Sequence, residues 1–436
     1  MNRRTPRAAL VTLGCPMNQV DSEHIMAGLV SLGFELVPEE EADVIVVNTC
    51  GFIESARNES VETILELAEY KRTGRAKALV VAGCLAELHR VELESVLGEA
   101  DAVVGLSERD SIPDLCLRLL DREREGEAVY TRVVTGPRHS AYLKIAEGCS
   151  NACSYCTIPA IRGRFRSVPG DEALREAEEL VTLGARELIL IGQDTTRYGA
   201  DTDGASLPRL LERLAAIEDV RWLRLMYAQP AHLTDEIIEA FRDIPKLLPY
   251  VDIPVQHISG NILRRMGRLT TPDGIRALIS RLRERIPGVV LRTSLIVGFP
   301  GETEAEFGEL LDFVEETRFE RLGAFVYSPE KGTRAARLGG AVPEKVAEVR
   351  FDQIMRLQAE ITEEFQRSLV GSEFEMIVDE VDPDSEDVFG RTYMDAPEID
   401  GVVTVAGGID PDEEFVRVRI VDAGTYDLVG EVIPTE

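Results

Sequence analysis

Three cysteines crowd one short loop, Cys149, Cys153 and Cys156 in EGCSNACSYCTIP (147–159). Thiolates at CxxxCxxC spacing reach three corners of a cubic 4Fe–4S cluster. A structural zinc ion takes four ligands instead. No fourth cysteine follows nearby, and no histidine stands at zinc-ligand spacing, since His139 precedes the loop and His232 lies far beyond it. The spacing therefore predicts a cluster with one open iron, whose last ligand is not a protein side chain.

A second trio is dispersed: Cys15 in TLGCPMN, Cys50 in VNTCGFI and Cys84 in VAGCLAE. Each follows a short apolar run, and each has a glycine or small polar residue beside the thiol. Cysteine is among the most buried residue types, so each of the three could simply be a core residue. Three equivalent strand ends favour a shared metal site, because the carboxyl edge of a parallel sheet gathers residues distant in sequence. Cys116, in the amphipathic stretch DLCLRLL, reads as core.

The elements that must position these thiols are legible as alternating patterns. Apolar runs at 8–13, 44–49, 77–83 and 100–105 alternate with helical periodicity at 20–32, 54–71, 87–97 and 109–120. This predicts a doubly wound parallel α/β domain over residues 1–120. Residues 121–140 are polar, punctuated by Gly and Pro, and read as a linker. A second series supplies strands at 142–148, 187–192, 222–227, 250–255, 289–297 and 321–327, with helices between them. Six βα units predict a partial (β/α)6 barrel over 141–366, closed by an amphipathic helix at 343–368. Beyond residue 367 the pattern shortens to alternating segments between turns, as in a small all-β barrel.

The chain has 436 residues, enough for several domains. Seven cysteines in so long a chain fit metal binding or redox chemistry in a reducing compartment better than a disulfide framework. No apolar run has the ~18 residues of a membrane helix, and no signal peptide is evident. The expected location is the cytoplasm, with no membrane partner. Net charge is −30. Residues 367–436 hold 19 Asp/Glu against 4 Arg, a net −15. Such a surface repels nucleic acid and attracts a basic protein. A merely solvated acidic tail is the alternative, although VDPDSEDVFG and GGIDPDEEF place the acid in turns.

CSNACSYC, with Tyr155 before its last cysteine, resembles the loop of the radical S-adenosylmethionine (SAM) superfamily. LRTSLIVGFPGET (291–303) is similar to the segment lying along the adenosine part of SAM, and includes Gly298. The resemblance implies that SAM supplies the missing fourth ligand, and that the cluster reduces it to a 5′-deoxyadenosyl radical. With an N-terminal three-cysteine domain and a C-terminal β-barrel, the whole chain resembles the methylthiotransferases. It implies a second 4Fe–4S cluster on Cys15, Cys50 and Cys84 that carries the sulfur to be inserted. It also implies SAM as both methyl donor and radical source, an external sulfur source and an electron donor.

Several stretches resemble the RimO-type branch, which modifies the β-carbon of an aspartate in small-subunit ribosomal protein twelve. They are NTCGFIESARNES (48–60), GQDTTRYG (192–199), DIPVQHISGNILRRMGR (252–268), YSPEKGT (327–333) and GRTYMDAPEIDG (390–401). GCPMNQVDSE (14–23) departs from it at Met17, where lysine is usual, beside a ligand and not at one. The alternatives are the tRNA adenosine branch, disfavoured by the acidic C-terminal module, and an iron–sulfur carrier with no substrate. Gln193 and Asp194 end the second barrel strand and are expected to contact SAM or substrate. Tyr155 lies against the SAM cluster or simply packs. His257 contacts substrate or is a structural histidine. Arg162, Gly163, Arg166 and Ser167 contact substrate or brace the loop.

Overall fold

A computed structural model describes residues 4–123, 132–407, 409 and 413–433. Part of the expected 121–140 linker, residues 124–131, lies outside them, as do several residues of the GGIDPDEEF turn. The chain forms two compact units. One comprises Met1–Thr135, Glu147–Ser150 and Cys156–Arg166; the other comprises Gly136–Ala146, Asn151–Tyr155 and Ser167–Glu436.

In the first unit the strands Arg7–Thr12, Val44–Thr49, Ala78–Gly83 and Ala102–Val104 pair in parallel in that order, with the short strand Glu35–Leu36 on the free edge of the first. The two central strands, VIVVNT and ALVVAG, are buried along their full length. Helices cover both faces, which is why these strands are apolar throughout and do not alternate. Glu35–Leu36 was too short for a periodicity signal. The first helix, Pro16–Ser31, starts four residues before its apolar pattern does, because Pro16 occupies its first turn and Cys15 its N-cap. The third, Cys84–Val96, likewise begins at the cysteine itself.

In the second unit six parallel strands run in the order Arg321–Val326, Val290–Val297, Leu247–Asp252, Trp222–Leu225, Glu187–Ile191 and Ser140–Lys144. Neighbours in space follow the chain, as successive right-handed βα units require. The helix Glu344–Ser368 then leads to a closed five-stranded barrel made of Glu373–Val381, Val388–Arg391, Val403–Val405, Leu428–Val432 and Phe415–Ala423.

That small barrel docks on the amino-terminal edge of the parallel sheet. Glu187, which opens its strand, accepts hydrogen bonds from Arg391 at 2.8 Å and from Arg224 at 2.7 Å. Arg321 binds Asp395 at 2.5 Å, and the Tyr250 hydroxyl donates to Asp400 at 2.6 Å. Trp222 donates to Glu375 and meets Phe415 edge to face at 5.1 Å. Arg186 and Arg292 pair with Glu414 and Asp400. A good part of the acid in the C-terminal module therefore has a basic partner within the same chain. The loops that carry the expected site leave the opposite, carboxyl edge, about 15–20 Å along strands of this length.

Candidate active site

Cys15, Cys50 and Cys84 follow three adjacent strands and gather at one sheet edge. Cys15 caps one helix and Cys84 opens another, so two helix N-termini lie at the thiols. Glycines bring the backbone close. A Cβ on Gly14 (φ +98°) would lie 3.0 Å from Cys50 Sγ, and one on Gly83 (φ +95°) would strike Asn48 and Thr49. Burial pushes the Cys84 thiol up to about 12, and the nearby Cys15 and Cys50 push the same way, while the charge of Arg162 opposes them. Cys50 is raised chiefly by burial too, with Cys15 adding to it. Cys50 and Cys84, whose burial disfavours the thiolate, suit a cationic iron centre, which would supply the missing positive charge. Cys116 is fully buried among apolar side chains, as expected of a core residue.

Parts of the cysteine loop are held within the first unit. Cys149 N–H donates to Gly163 O at 3.1 Å, and Gly148 (φ +75°) runs so close to residues 162–164 that no Cβ would fit. Within the second unit, Ser154 N–H donates to Met266 O and its hydroxyl to Arg265 O, while Ala335 N–H donates to Ser154 O. Arg268 Nη1 lies 3.8 Å from Cys153 Sγ. Among the described residues no three His, Cys, Asp or Glu side chains close around a single metal ion. A four-iron cluster takes its thiolates at wider separation than one ion does.

Within the second unit, the carboxyl edge of the sheet gathers aromatic and polar groups. Tyr155, Phe299 and Tyr327 form an edge-to-face row, with centroids 6.3 and 5.1 Å apart. Gln193 Oε1 and the Tyr327 hydroxyl are buried without a hydrogen-bond partner among the described residues. Both atoms are able to take a hydrogen bond from a polar ligand. Gly298 (φ +73°) turns the GFPG segment, where a Cβ would lie 2.5 Å from Ala347 Cβ.

Asp194 does not present an open carboxylate. It is fully buried and accepts from Asn151, Thr196 and His232 Nδ1 at 2.7–2.8 Å. Of the Gln193–Asp194 pair, Gln193 keeps the free atom, while Asp194 ties the cysteine loop to His232. His257 is likewise enclosed: Nδ1 accepts from Ser259 N–H, and Nε2 faces Glu302 Oε1 at 3.6 Å. Glu302 in turn accepts the N–H groups of Gly298 and Phe299 and so holds the GFPG turn. Sequence reasoning passed over Glu302, His232 and Asn18. The acid four residues past Gly298 was the one usable signal.

A six-stranded parallel sheet with a three-cysteine loop at its carboxyl edge defines a protein of the radical SAM class, and the comparisons agree. The radical SAM superfamily model matches residues 143–314, uncharacterized protein family UPF0004 matches 7–105, and the TRAM domain matches 370–433. With the superfamily come SAM and an iron–sulfur cluster. The chain is 45% identical to the ribosomal protein uS12 methylthiotransferase RimO of Geobacter sulfurreducens, covering 99% of this chain and 100% of that one. It is 44% identical to that of Clostridioides difficile over 98% and 99%. The chain belongs to the RimO family. In fold it is similar to the radical SAM methyltransferase TsrM of Kitasatospora setae, with a TM-score of 0.53, 17% identity and coverage of 76% and 77%. No helix among the described residues is long and apolar enough to cross a membrane.

Proposed function

We propose that this protein is a methylthiotransferase that places a methylthio group on the β-carbon of an aspartate in ribosomal protein uS12. The full-length relationship to proteins named for that activity carries this reading. The two cysteine trios support it chemically. Cys149, Cys153 and Cys156 would hold one 4Fe–4S cluster and leave a coordination position for SAM; Cys15, Cys50 and Cys84 would hold a second, to carry the sulfur. When bound, the clusters and SAM supply a carbon-centred radical, a methyl group and the sulfur to be joined to it.

The chain's own residues arrange the partners. Gln193 Oε1 would accept, and the Tyr327 hydroxyl would donate, a hydrogen bond to polar groups of SAM. Tyr155, Phe299 and the Gly298 backbone would offer it apolar and aromatic surface. Glu302 keeps the turn bearing Gly298 and Phe299 in one conformation. Asp194 fixes Asn151, and with it the middle of the cysteine loop. Domain limits of 1–120, 141–366 and 367–436, and a cytoplasmic setting with an electron donor and a sulfur source, complete the reading.

The test is anaerobic. Protein reconstituted with iron and sulfide is given SAM, dithionite, sulfide and a peptide bearing the uS12 aspartate loop. The expected result is a methylthio group on the peptide by mass spectrometry and 5′-deoxyadenosine in solution. Cys15→Ala is expected to keep 5′-deoxyadenosine formation and lose the methylthio product. Reconstituted protein that forms neither product overturns the reading.

A further inference from the structure

Arg162 follows the cysteine loop in sequence, yet it points at the other trio. Its side chain is 1% exposed. Nη1 donates to Asp21 at 3.0 Å and to Glu147 at 2.9 Å. Nη2 donates to Asn18 Oδ1 at 2.7 Å and faces Cys84 Sγ at 3.7 Å. Asn18 cannot turn its amide over, because its Nδ2 already donates to Leu13 O and Thr49 O. Asp21 is held in turn by Arg109 at 2.5 Å. One edge of the guanidinium thus faces two carboxylates and the other faces a sulfur, so the cation stands between negative groups and the thiol.

Burying an arginine this deeply is costly unless every neighbour rewards it. Asp21 and Glu147 balance its charge, but they do not require it to reach Cys84. An N–H aimed at a cluster sulfur, with a fixed positive charge behind it, favours the reduced form, which carries one more negative charge. We propose that Arg162 is a positioning residue that raises the reduction potential of the cluster on Cys15, Cys50 and Cys84. It keeps that cluster easier to reduce than its carboxylate surroundings would otherwise allow. The inference rests on the proposed second cluster.

The experiment uses the full chain with Cys149, Cys153 and Cys156 changed to alanine, so that a single cluster remains. Iron content is measured first, and the midpoint potential then follows from a redox titration read by electron paramagnetic resonance. Arg162→Gln is expected to bias the couple toward the oxidised cluster at least tenfold, about 59 mV downward for one electron. Arg162→Lys keeps the charge and is expected to shift it less. Asp21→Asn removes a carboxylate and is expected to shift it upward. A merely structural role would not move the two substitutions in opposite directions. Should Arg162→Gln fail to fold, the lysine and Asp21→Asn variants still decide the matter. An unmoved midpoint, or shifts of the same sign for Arg162 and Asp21, overturns the inference. A parent that binds no iron overturns the two-cluster reading, and this inference with it.

Discussion

Arg391 and Glu187 lie 204 positions apart in sequence, and their side chains meet at 2.8 Å with 2% and 0% exposure. Arg391 belongs to the C-terminal barrel and Glu187 to the first residue of a sheet strand. Arg224, also fully buried, binds the second oxygen of the same carboxylate. Glu187 is therefore the hub through which the small barrel is seated on the parallel sheet. Glu187→Gln leaves two buried guanidinium groups short of a counter-charge and is expected to cost about 3–5 kcal/mol. A urea unfolding curve measures that loss, and a change under 1 kcal/mol would contradict the hub.

The same group gives a pH dependence. Burial alone would raise the Glu187 carboxyl, but the charges and hydrogen bonds of Arg391 and Arg224 outweigh it and hold it at about 2, against an ordinary 4.5. A carboxyl depressed on folding contributes stability that is fully present above its unfolded value and disappears as pH falls through the folded one. Burial raises Asp379 and Asp395, so they protonate before it. The stability gap between the parent and Glu187→Gln is expected to shrink between pH 4.5 and about 2. Unfolding curves across that range would show it, and a gap that widens with acid would refute the assignment.

Gly298→Ala places a side chain at φ +73°, 2.5 Å from Ala347 Cβ. Left-handed backbone at a non-glycine residue costs about 1–3 kcal/mol. The GFPG turn is expected to shift, weakening SAM at least tenfold in a binding titration, with iron content unchanged.

Asp194→Asn replaces an acceptor of three hydrogen bonds by an amide that cannot accept them all. The loop bearing Asn151 is expected to lose its anchor, and 5′-deoxyadenosine formation to slow at least tenfold at constant iron content. Normal turnover would show that Gln193 alone serves this edge.

Cys116→Ala should spare the clusters. Its thiol is buried in the apolar core, and burial pushes it up to about 12. Iron content after reconstitution is expected to match the parent, with a stability loss of about 1 kcal/mol. Loss of iron would make Cys116 a ligand.

The strands were legible because each is a short apolar run between helical patterns, and both cysteine trios were legible because they fall at strand ends. The pairing of Arg162 with Asn18 and Asp21 was not, since it joins residues more than 140 positions apart. Nor was the fate of the C-terminal acid. Charge counting treats Asp379, Asp395, Asp400, Glu375 and Glu414 as surface available to a basic partner, whereas the fold commits them to arginines, a tyrosine and a tryptophan of the same unit. Asp194 lies just past the end of its strand, as expected, but no local pattern tells an open polar side chain from one that already accepts three hydrogen bonds.

The most direct measurement of the central claim is a single anaerobic reaction holding SAM labelled in its methyl group, the uS12 aspartate-loop peptide and unmodified tRNA together. Label on the peptide as a methylthio group, with the RNA unlabelled, is the predicted result. Label on the RNA with none on the peptide would contradict the proposed substrate.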